Sequence, residues 1–279
     1  MQPLRIVVAA LVLWSGPLGA CPPTAWADEP QPAADRIRVL LDRAGAEFAA
    51  GRPDEAIASA EAAVSLASAA FGESDELRID ACLALSSLLM QSGRMDDAAR
   101  LAEEANAGAE RNLAHWQDRV AATLKFLGTV HSMRGDLEES WSAFRRAVDL
   151  STIVHGRSHP ETAKHLGNLA MIEIRRGDAE RGRSLLQETI AIWNAQPDPH
   201  PVYLGGAMMN LASLELDEGD AEGALELCRG ALALQEVAFG PDNPRLANTL
   251  RRYAAMLREA GREDDASRVE VRLETLGDG

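Results

Sequence analysis

AKHLGNLAMIEIRRGDAERGRSLLQETI, residues 163–190, has an echo 42 residues later in GGAMMNLASLELDEGDAEGALELCRGAL, residues 205–232. Shared letters sit at fixed places: Asn168 and Asn210, Ala170 and Ala212, Gly177 and Gly219, Asp178 and Asp220. The glycine continues in both directions, to Gly51, Gly93 and Gly135 before it and Gly261 after it, always 42 residues apart. A period of this size that keeps phase without insertion or deletion is one supersecondary unit stacked on copies of itself.

The columns around each glycine define the unit. Eleven residues before it stand Leu40, Cys82, Leu124, Leu166, Met208 and Leu250. Seven before it stand Ala44, Ser86, Gly128, Ala170, Ala212 and Ala254, and five before it Ala46, Leu88, Val130, Ile172, Leu214 and Met256. Offsets of three and four share one helical face, with a small residue where a second helix must come close. That second helix follows the glycine. Its own small column runs Ala56, Ala98, Ser140, Gly182, Ala224 and Ala266, and it opens with acids such as Asp54, Asp96, Asp178 and Asp220, which suit the positive end of a helix dipole. The glycine fits a left-handed cap on the first helix, and Pro53 fits the first turn of the second. Each unit is predicted to be a helical hairpin, and the chain an all-α solenoid of six of them.

These residues resemble the tetratricopeptide repeat. HGRSHPETAKHLGNLA (155–170) and FGPDNPRLANTL (239–250) are similar to the inter-repeat link and following helix of the kinesin light chain subgroup, whose units have this length. FGESDEL (71–77) is a weaker copy, and NLAHWQD (112–118) and QPDPHPV (196–202) depart from it. The resemblance implies a right-handed superhelix whose first helices line a concave groove that holds a protein or peptide. The expected organisation is a solenoid over residues 35–277, with repeats near 35–74, 75–115, 116–157, 158–199, 200–241 and 242–277.

Ahead of it, Arg5 precedes the apolar run IVVAALVLW (6–14), which is short for a bilayer span and placed like the core of an export signal. Ala25-Trp26-Ala27 offers a small-x-small cleavage site, so residues 1–27 are expected to be a signal peptide and 28–34 (DEPQPAA) a linker. Leu18-Gly19-Ala20-Cys21 resembles a lipoprotein box and leaves a second possibility, a chain anchored through Cys21. Periplasmic or secreted placement follows from the first reading, and a membrane is expected only in the second.

The chain has 28 basic and 43 acidic residues, a formal charge of −15, which repels phosphate backbones and argues against nucleic acid as partner. Cys82 and Cys228 occupy columns that are apolar in neighbouring units, as buried thiols do. No phosphate loop, H-E-x-x-H, C-x-x-C or G-x-S-x-G is present, so no cofactor, metal or catalytic residue is assigned. His155 and His159 have a ligand-like spacing, but Gly156 and Pro160 break the helix such a pair needs. The function expected is a non-enzymatic adaptor or scaffold of the cell envelope for protein or peptide partners. The alternatives are a self-associating structural scaffold and a lipoprotein assembly factor.

One constellation stands out. The chain contains only two lysines, Lys125 and Lys164, both on first helices. Lys164 and Asn168 are four apart; Asn210 and Arg252 continue the Asn168 column, and Asn248 precedes Arg252 by four. On the resembled curvature these six would form a polar strip along the groove. Asparagine carries donor and acceptor together and can hold the main chain of an extended peptide. In the last unit Glu270 and Glu274 replace residues that are mostly apolar in earlier repeats, which reads as a solubilising cap.

Overall fold

The computed structural model describes residues 32–277. The expected signal peptide and residues 28–31 of the expected linker lie outside the described residues. The first helix begins at Ala33, inside the stretch read as linker.

Twelve α-helices, and no strand among the described residues, follow in order: α1 (Ala33–Ala49), α2 (Pro53–Ala70), α3 (Glu76–Gln91), α4 (Met95–Glu110), α5 (Gln117–Arg134), α6 (Leu137–His155), α7 (Pro160–Arg175), α8 (Ala179–Asn194), α9 (Pro201–Asp217), α10 (Ala221–Phe239), α11 (Ala247–Glu259) and α12 (Glu263–Gly277). One 3₁₀ turn, Pro244–Leu246, precedes α11.

The period-marking glycines do one job six times. All six have positive φ, between 73° at Gly261 and 93° at Gly135 and Gly177. At Gly177 its own N–H donates to the Ile174 carbonyl and that of Asp178 to the Glu173 carbonyl, both at 2.9 Å. That pair of bonds closes the last turn of the first helix around a left-handed residue. Asp178 then turns from closing one helix to opening the next, its carboxylate accepting from the Arg181 N–H at 3.0 Å. Asp220 repeats this with Gly223 at 2.9 Å. In the units where arginine follows the glycine, it pairs three residues ahead instead, as Arg94 with Asp97 at 2.7 Å.

The small columns let the two helices of a hairpin touch. Ala56, Ala98, Ser140, Ala224 and Ala266 are fully buried. A Cβ on Gly182 would meet Ile174 Cγ1 at 2.3 Å. Where the column holds serine, its hydroxyl finds a carbonyl: Ser140 donates to Gly128 at 2.7 Å and Ser86 to Ala98 at 2.6 Å. Leu166, Leu250, Cys82 and Cys228 are buried beside them, and burial pushes both thiols up to about 11.

Each hairpin packs on the next through its neighbouring helices, and the first helices also touch one another along the row α1, α3, α5, α7, α9, α11. No two second helices pack this way among the described residues. The first helices therefore form the tighter, inner row of the stack. Glu274 stands exposed on α12, and Glu270 accepts from Arg258 at 2.7 Å.

Candidate peptide-binding groove

The inner row is furnished unevenly. Between α7 and α9 lies a cavity of about 130 Å³ whose lining includes Lys164, Asn168, Asn210, Gly167, Gly206 and Trp193. The helical spacing of α7 puts Lys164 and Asn168 on the same side, and the repeat period puts Asn210 beside them one helix on.

Lys164 Nζ holds Glu161 at 2.6 Å and lies 5.2 Å from the centre of the Tyr203 ring. Burial pushes the Glu161 carboxyl up, but the Lys164 ammonium outweighs it and leaves that group below the usual carboxylate range. Tyr203 in turn stacks on Trp193, with ring centres 5.3 Å apart and planes 9° from parallel. Asn168 makes no side-chain hydrogen bond among the described residues. Asn210 Oδ1 accepts from Arg252 at 3.0 Å, leaving its N–H groups to face a ligand.

Lys125 and Asn248 stand apart from that cavity. Lys125, on α5, is partly buried and has no acid within 4 Å among the described residues. Burial and the like charge of Lys164 lower its pKa. Asn248 is exposed at the start of α11, where the 3₁₀ turn delays the helix. Arg252 is engaged with its own fold: Nη2 is shared among the Met209 carbonyl and Asn210 Oδ1, both at 3.0 Å, and Ser213 Oγ at 3.2 Å.

Beneath the two lysines sits His165, 7% exposed, with Nδ1 lacking a partner. Burial, aided by Lys125, drops its pKa to about 4, so the ring is neutral at pH 7. His155 and His159 stack at 4.7 Å rather than converging on a common point, and His155 bonds Asp118 at 2.6 Å. No group of three or more His, Cys, Asp or Glu side chains capable of holding a metal occurs among the described residues. No described helix is long and apolar enough to cross a membrane.

The sequence reading missed the aromatic wall and the two glycines. The link that departs from the family pattern, QPDPHPV, is the one that delivers Tyr203 to the groove: α8 ends at Asn194 and Pro201 restarts the chain as α9. The available signal was the register, since Gly206 falls in the column of Lys164 and Asn248.

Hairpins stacked with an inner row of first helices define a helical repeat protein. The tetratricopeptide repeat family profile matches residues 119–195 and 203–271, just over half of the chain. The chain belongs to the tetratricopeptide repeat family. No curated protein matches the sequence. Among solved structures, the nearly identical TPR-like repeats of a candidate kinesin light chain from Podosopora anserina align with TM-score 0.64 and 19% identity, covering 75% of this chain and 99% of that one. BtubC (BKLC) from P. vanneervenii gives 0.60 at 17% identity, over 88% and 91%. Pseudomonas aeruginosa pilF gives 0.54 at 16%, over 88% and 94%. At these identities the likeness is one of fold, a superhelical solenoid with kinesin-light-chain-like units of 42 residues. Proteins of this family are in general non-enzymatic scaffolds for other proteins.

Proposed function

We propose that the chain is a protein-binding adaptor whose inner row of first helices holds an extended segment of its partner. The observation that carries this reading is the convergence of Lys164, Asn168 and Asn210 on one cavity between adjacent first helices. Asn168 offers a free amide and Asn210 free donors, so the two grip main chain while remaining indifferent to most side chains. The cell envelope as its place rests on the apolar run 6–14 and the Ala25-Trp26-Ala27 site, and N-terminal sequencing that finds Met1 intact would reject it.

The test is titration of peptides selected on the immobilised chain from a phage-displayed random library. Asn168→Ala and Asn210→Ala are each expected to weaken peptides of different sequence by about tenfold, the worth of a hydrogen bond in a water-poor groove. Wild-type affinity in both variants, with melting temperatures unchanged, would move the binding surface off the inner row.

A further inference from the structure

Glycine inside a helix costs about 1 kcal/mol relative to alanine, so it needs a reason to be there. Most interior helical glycines of this chain have one. A Cβ on Gly128 would press on the Phe144 ring at 3.0 Å, on Gly108 it would meet the Glu73 carbonyl at 2.3 Å, and on Gly205 it would meet Gln235 Nε2 at 2.6 Å. Gly206 has none: a Cβ there meets nothing within 4 Å. At Gly167 the one neighbour is Thr189 Cγ2, at an ordinary 3.7 Å. Gly45, at the far end of the stack, is the third such position. Gly167, on α7, and Gly206, on α9, line the same cavity. In Gly206's column, repeat four carries Lys164 and repeat six Asn248, so the space exists because repeat five has no side chain there.

The cavity's size and charge indicate what fills that space. About 130 Å³ is large for one water and small for a free metabolite, which takes several hundred. It suits a single side chain. The wall is the stacked pair Trp193 and Tyr203, and the lining groups without a full set of partners are the Lys164 ammonium, the Asn168 amide, the Asn210 N–H groups and the buried Trp193 Nε1–H. Lys164 spends one of its three donors on Glu161. Lys125 adds a second, unpaired positive charge from the neighbouring helix α5. Counted against Glu161, the two lysines leave one net positive charge on this stretch of the inner row, in a chain of net charge −15.

We infer that the cavity between α7 and α9 receives one aspartate or glutamate side chain from within the bound segment, its stem against Trp193 and Tyr203 and its carboxylate on Lys164 and Asn168. The inference rests on the groove reading above and adds a requirement to it, an acid at one fixed position of the ligand. Gly167 and Gly206 are the room that acid needs.

The probes are the phage-selected peptides, resynthesised with amidated C-termini and with each Asp or Glu changed in turn to Asn or Gln. One such change per peptide is expected to weaken binding to the full chain by about tenfold or more, the worth of a charge-assisted hydrogen bond. The same change should have little further effect in Lys164→Gln, because the partner charge is already gone. Gly206→Leu, which fills the cavity from a position with open space, should lose about tenfold while its melting temperature holds or rises. Peptides that are weakened by Asn210→Ala yet bind Gly206→Leu as wild type, or ignore every acid-to-amide change, would overturn the acid pocket and leave the groove reading standing. Loss of binding on C-terminal amidation alone would assign the site to a chain terminus, and also overturns it. Peptides insensitive to all groove variants, or no selected peptide at all, would remove both.

Discussion

Two adjacent seams of the inner row are built on the same column and hold its side chain differently. Between α7 and α9 the column offers Asn168, a short side chain without a partner, beside an open cavity. Between α9 and α11 the same column offers Arg252, long enough to reach back and tie Met209, Asn210 and Ser213 of the preceding unit, while it also lines a second cavity of about 260 Å³ with the acids Asp217 and Glu259. The register is identical and the chemistry polar in both. Reach makes the difference: an amide on a first helix stays in the groove, while a guanidinium in its place crosses the seam. A repeat column therefore assigns a direction, and side-chain length decides whether the polar end stays free or is tied to the preceding repeat.

The sharpest way to separate the seams is acid. His165 lies under the first of them, while the next two repeats put Ala207 and Thr249 at its position. Asp118 and Lys125 from α5, and Glu161 and Lys164 from its own helix, set its field. Its pKa is about 4 when folded, against an ordinary 6.5. The unfolded chain thus takes the proton first. The stabilisation is whole above about pH 6.5, falls as pH drops toward 4 and levels off below that. By pH 5 the loss amounts to about 2 kcal/mol, of a total near 3. Urea unfolding at pH 7 and pH 5 should show this drop, and His165→Gln should lack it. Hydrogen exchange should place the loosening at α5 and α7. An equal pH slope in the variant would show that the imidazole is not the sensitive group.

Next in size is the tie itself. Arg252→Ala removes donors from three buried or partly buried oxygens, at an expected cost of about 1.5–2 kcal/mol in chemical unfolding. Asn168→Ala, in the same column two repeats earlier, should change stability by less than about 0.5 kcal/mol. Equal costs would mean that the two seams are held alike, and the contrast between an untied and a tied side chain would fail.

How much of this contrast was legible beforehand follows from what a period can carry. The hairpin, its glycine turn and the small columns repeat six times, so backbone geometry and close packing were readable from spacing alone. Lys164, Asn168 and Asn210 were placed together for the same reason. Arg252 was read as a groove residue because register gives its direction and not its reach. Trp193 and Tyr203 flank the link that breaks the pattern, and their columns hold unlike residues elsewhere, Ser151 and Gln235 for the first and Glu161 and Arg245 for the second, so no repeat marks them. The cavity is the absence of a side chain at Gly206, and an absence shows only when a structure reveals that nothing else takes the space.

The smallest expected effects come from two glycines side by side on α9, and their value is that they should differ in sign. Gly206→Ala adds a methyl group to open space and removes glycine's backbone entropy, so it should stabilise the chain by about 0.5–1 kcal/mol. Gly205→Ala gains the same helix preference but drives its Cβ to within 2.6 Å of Gln235 Nε2. Gln235 is buried and held at both ends, accepting from Thr249 Oγ1 at 2.7 Å and donating to the Pro201 carbonyl at 3.5 Å. Overpacking there costs about 1–3 kcal/mol, which outweighs the helix gain and leaves a net loss near 1 kcal/mol. Thermal melts of the two variants decide it. Stabilisation by both would show that Gln235 gives way at no cost, so that α10 is not fixed to α11 through it. Destabilisation by both would mean that Gly206 has a structural reason after all, and the cavity it lines would lose its standing as space kept for a ligand.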